Sequence, residues 1–82
     1  MMYPTIHING TSKDVLLSHQ LAAYEAVESA LDALYETSPN PRDYYPIGEH
    51  AFTEAVMEHG NRVERLKGVL IEIADIIEHI NS

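Results

Sequence analysis

One periodic stretch constrains this chain more than any other. Phe52, Val56, His59, Val63, Leu66, Leu70, Ile73, Ile77 and Ile80 recur at steps of four and three, the spacing of a helix packed lengthwise along another helix. The pattern predicts a helix over 49–81, about 45 to 50 Å long at ~1.5 Å per residue. Beyond residue 68 the stripe widens, because Val69 and Ile76 join Leu70, Ile73 and Ile77. One neighbouring helix cannot cover so broad a flank, so the N-terminal arm, a second subunit, or both must bury the remainder.

The rest of the chain supplies one partner helix. Tyr3 to Ile8 alternate, with Ile6 and Ile8 opposite Thr5 and His7, so residues 1–10 read as an extended arm or short strand. No second strand-like run exists to pair with it. The arm must therefore lie over the helices or pair with its own copy in another subunit. Asn9 and Gly10 turn the chain, and Thr11 with Asp14 forms a variant capping box opening helix one over 11–36. Leu17, Leu21, Tyr24, Val27, Leu31 and Leu34 make its apolar stripe, flanked by alanines that allow close approach. Pro39, Pro41 and Pro46 exclude continuous helix over 37–48. Within helix two, Gly60 and Gly68 each cost about 1 kcal/mol relative to alanine and mark candidate close approaches of another backbone. The fold class is all-α: one domain, an antiparallel two-helix hairpin with a short extended arm or strand, assembling into a helical-bundle oligomer.

Size and charge narrow the function. With 82 residues, a single hairpin buries a core only marginally, and self-association is the ordinary remedy. The chain has no cysteine and a formal net charge of −8. Direct nucleic-acid binding is therefore disfavoured, since Lys13 and Arg42 are the only cations before residue 62. Neither a leader-like apolar segment nor a run near the roughly 18 apolar residues of a membrane span is present. A soluble intracellular protein without membrane contact is the expectation.

Catalytic and metal chemistry find little support. His50 with Glu54 and Asp75 with His79 have i,i+4 spacing but lack a third convergent ligand. His59 stands on the helical seam, where a hydrogen-bonded interface histidine is expected. Glu25 and Glu28 on helix one, with Glu72 and Asp75 on helix two, resemble the magnesium-binding carboxylates of the all-α nucleoside triphosphate pyrophosphatases. Phosphate-loop, hydrolase-elbow and thiol motifs are missing. No catalytic residue, metal ligand or cofactor is assigned.

Two polar segments stand apart. Asn9, Gly10, Thr11, Ser12 and Lys13 combine a glycine turn, two hydroxyls and a lysine at a helix N-terminus, parts that suit a phosphate. Arg42, Asp43, Tyr44 and Tyr45 add a guanidinium and two stacking faces. In an antiparallel hairpin these segments lie about 35 Å apart, the length of some 24 helical residues. Any joint site must form between subunits. The expected ligand is small, anionic and nucleotide-like.

The Asn9-Gly10-Thr11-Ser12 turn, the Arg42-Asp43-Tyr44-Tyr45-Pro46 loop with Gly48, and the segment from Glu58 to Leu66 resemble a group of small helical proteins encoded by bacteriophages and prophages. The resemblance implies residence in the cytoplasm of a host bacterial cell. It also implies one of two roles: a sponge for nucleotide immune signals, or an acidic inhibitor of a host protein, whose basic patch the carboxylate-rich helix two would occupy. An all-α magnesium-dependent pyrophosphatase is the third reading.

Overall fold

The computed structural model describes residues 1–82. Helix α1 spans Lys13–Tyr35 and helix α2 spans Ala51–Asn81, with one 3-10 turn, Pro41–Asp43, between them. The helices pack as a hairpin, as their stripes require. Ser12, rather than Thr11, caps α1: its Oγ accepts from the Val15 amide at 3.3 Å. At the other end the Thr37 and Ser38 hydroxyls donate to the Leu34 and Tyr35 carbonyls, each at 2.7 Å, satisfying acceptors that the helix end leaves open.

The two helices differ in length, and register decides what each covers. Leu31 shares a cleft with Leu70, and Leu34 shares one with Leu66 and Val69, so α1 lies on the carboxyl-terminal half of α2. The connecting loop covers the other half. Ser38 reaches His59 at 3.1 Å, and the Tyr44 ring packs at 6.4 Å from that of Phe52. The expected seam is corrected at one position: Val56 is 43% exposed, while Ala55 turns inward in its place. Both positions fit a three-four rhythm between Phe52 and His59, and the loop packs over the alanine.

Residues 1–7 form no strand within the chain. They run along the far end of α2, where the Tyr3 ring stacks on His79 at 4.4 Å and 17°. Pro4, Thr5 and Ile6 border the same cleft as Ile80, the most buried residue of the chain. Part of the widened apolar flank is thus covered by the arm. Val69 and Ile71 remain exposed.

The hairpin has almost no interior. Leu31, His59, Val63 and Ile80 are the four buried residues of 82, and no large side chain is fully buried. Accessible surface is 6197 Å², whereas a compact 9.2 kDa chain exposes about 4,900 Å². The radius of gyration is 18.4 Å, against about 12 Å for a compact domain of this length. Such burial leaves little to offset the entropy of ordering the chain.

Candidate functional site

The N-terminal corner is built by a turn and a helix start. Gly10 donates its backbone N–H to the His7 carbonyl at 3.1 Å. A Cβ on Gly10 would lie 2.6 Å from His7 Nε2, so the imidazole already occupies the space that glycine leaves. Ser12 spends its oxygen on the α1 cap. Lys13 is exposed and has no carboxylate partner, since the ion pairs of the chain are His50–Glu49, Arg62–Glu58 and Lys67–Glu64.

The loop corner is organised by Asn40, whose side-chain oxygen accepts from the Arg42 amide at 3.1 Å. Its carbonyl accepts from Asp43, also starting the 3-10 turn. This turn holds Tyr44 half-buried against Phe52 and leaves Tyr45 76% exposed. Tyr44 is therefore a packing residue on one face, and Tyr45 is the free stacking surface. Arg42, like Lys13, is unpaired. The two corners lie at opposite ends of a molecule 62 × 21 × 17 Å in extent. One chain does not bring them together.

The loop and α2 also enclose a cleft of about 300 Å³, bordered by Pro39, Tyr44, Ile47, Glu54, Glu58 and His59. Sequence reasoning placed His59 on the seam but gave it no partner. Ser38 Oγ is 2.7 Å from the Tyr35 carbonyl and 3.1 Å from His59 Nε2. A carbonyl only accepts, so the Ser38 hydrogen goes to Tyr35, and Nε2 is the donor to Ser38. His59 Nδ1 is buried with no partner. The pair cannot act as base and nucleophile, because the serine proton is committed to the helix end.

The carboxylates do not assemble. Glu25, Glu28 and Asp32 border a shallow cleft with Leu70, without Glu72 or Asp75, and nowhere do three His, Asp or Glu side chains gather as a metal would require. His50 lies 3.7 Å from Glu49 rather than on Glu54, and His79 is stacked under Tyr3. No helix is long and apolar enough to cross a membrane. Fold and surface together define an all-α helical hairpin with an open apolar flank and one unpaired cation, Lys13 or Arg42, at each tip. Comparison with protein families, with curated proteins and with solved structures gives no match to this chain.

Proposed function

We propose that the protein is a non-enzymatic binding module that works as an assembly of hairpins, holding a small anionic, nucleotide-like ligand where the tips of different chains meet. In this reading Lys13 and Arg42 take phosphate, Asn9 and Thr11 offer hydrogen bonds beside the turn that Gly10 closes on His7, and Tyr45 stacks on a base, with Asp43 and Tyr44 shaping the loop. The observation that carries it is the pairing state of the cations. In a chain of net charge −8, three cations, Lys13, Arg42 and Arg65, stay free of carboxylates, and the first two lie at the two ends of a hairpin too exposed to stand alone. Sequestering a nucleotide signal inside a bacterial host extends the resemblance to phage and prophage proteins. Titration calorimetry with cyclic dinucleotides, cyclic trinucleotides and cyclic ADP-ribose isomers tests it. At least one should bind, lose about tenfold or more in affinity in Arg42→Ala, and be recovered chemically intact; no heat from any of them with folded protein discards the reading.

A second reading has its own observation. Asp14, Glu25, Glu28 and Asp32 share one exposed side of α1, a carboxylate stripe suited to a basic patch on a host protein. Pull-down from a bacterial lysate, with Glu25→Lys/Glu28→Lys as the control, separates it from ligand binding.

A further inference from the structure

The carboxylates of α1 keep to one side of the helix, and that choice of sides selects a docking face. The carboxylates within α1 are Asp14, Glu25, Glu28 and Asp32, at positions that share one side of a helix. Ala23, Ala26, Ala30 and Ala33 step along the other side by threes and fours with no carboxylate among them. Leu34 continues this side onto a shelf formed with Leu66, Val69 and the stems of Arg62 and Arg65. Ile73 and Ile76 extend the shelf along α2 at the next steps of four and three. The result is a long aliphatic face rimmed by arginine, and the acidic residues of α1 point away from it.

We infer that a second copy of this chain covers that face, through a two-fold axis crossing both helices near Ala30 and Val69, so that α1 packs antiparallel on α1 and α2 on α2. The proposal supplies the self-association on which the reading above rests, and does not depend on any ligand. Area argues for it first. The hairpin exposes about 1,300 Å² more than a compact chain of its mass, while a standard interface takes about 800 Å² from each partner. With four buried residues of 82, whatever covers the face must be present whenever the chain is folded. A copy meets that condition in fixed proportion.

Charge then sets the direction. Four of the five cations, Arg42, Arg62, Arg65 and Lys67, lie towards the loop end and partly offset Glu36, Asp43, Glu49, Glu54, Glu58 and Glu64 there, whereas after Lys67 helix α2 carries Glu72, Asp75 and Glu78 and no cation but histidine. An antiparallel pair lays the less acidic end of each copy, with its arginines, beside the more acidic end of the other, with Arg65 opposite Glu72 of its partner. A parallel pair juxtaposes like ends. The same axis aligns the cationic tips. Lys13 lies about 25 Å along α1 from Ala30, beside Ile80 and Ser82, and the Arg42 loop lies beside Ala51 and Glu54, about 25 Å the other way along α2 from Val69. The two-fold operation therefore brings Arg42 of one copy level with Lys13 of the other.

The absence of native cysteine allows a direct test in the full chain. Ala30→Cys should oxidise to a disulfide-linked dimer, while Ile71→Cys, on the opposite edge of α2, should not. Sedimentation equilibrium should show Val69→Asp weakening dimerisation by about 100-fold or more, because a carboxylate is buried without a partner. Ile71→Asp should change it by less than about threefold. Cross-linking of the Ile71→Cys variant but not of Ala30→Cys, or of neither, overturns the proposal, and the cross-link decides even if Val69→Asp fails to fold. A dimer linked in the Ala30→Cys variant that binds none of the nucleotides keeps this interface and removes only the ligand reading.

Discussion

At the scale of single residues, two serines do work that composition alone does not reveal. Ser12 caps α1 through Val15, so Ser12→Ala should cost about 1 kcal/mol in urea unfolding; an unchanged midpoint would show the cap to be idle. Ser38 ties the end of α1 to His59 on α2. Ser38→Ala strands a buried donor and should cost about 1 to 3 kcal/mol, more than Thr37→Ala, whose exposed hydroxyl serves only the helix end. Equal losses would contradict the tie. The place of His59 was legible in the sequence because a seam is periodic. Its partner was not, because Ser38 stands in a loop whose path no periodicity encodes. Gly10 turns the chain as its sequence suggests, but its missing Cβ also makes room for His7, a neighbour that the sequence does not mark as packing there.

At the scale of elements, both helices were readable to within two residues, since Ser12, Thr37, Ser38 and Ser82 supply capping oxygens and the prolines of the loop bound the uncapped start of α2. The register between them was not. A repeat near 3.6 says which face is apolar but not how far one helix slides along the other, so the docking of α1 on the carboxyl-terminal half of α2 emerges only in three dimensions. The arm is a similar case: alternation allowed a strand, and contact with His79 and Ile80 shows an extended cover instead. In the single chain a methyl group on Gly60 or Gly68 would meet nothing beyond its own helix within 4 Å. Both glycines lie off the proposed dimer face. Gly60→Ala should therefore stabilise the fold by about 0.5 to 1 kcal/mol. Destabilisation would place another backbone against Gly60 and move the interface to the other edge.

At the scale of the whole molecule, the hairpin is a surface in search of an interior. The breadth of the stripe beyond residue 68 signalled that much, and the exposure of Val69 and Ile71 shows what the arm leaves uncovered. Whether and how the tips meet in the proposed assembly is not written in the chain, because a site between copies depends on a symmetry operator rather than on sequence order. Folding and association should be coupled, so the thermal midpoint should rise with protein concentration. A midpoint independent of concentration would uncouple them. The most direct measurement is sedimentation equilibrium of the folded protein across a range of concentrations. A species of twice the 9.2 kDa chain mass or a larger even multiple is expected, and a folded species holding at the mass of one chain would contradict the proposed assembly.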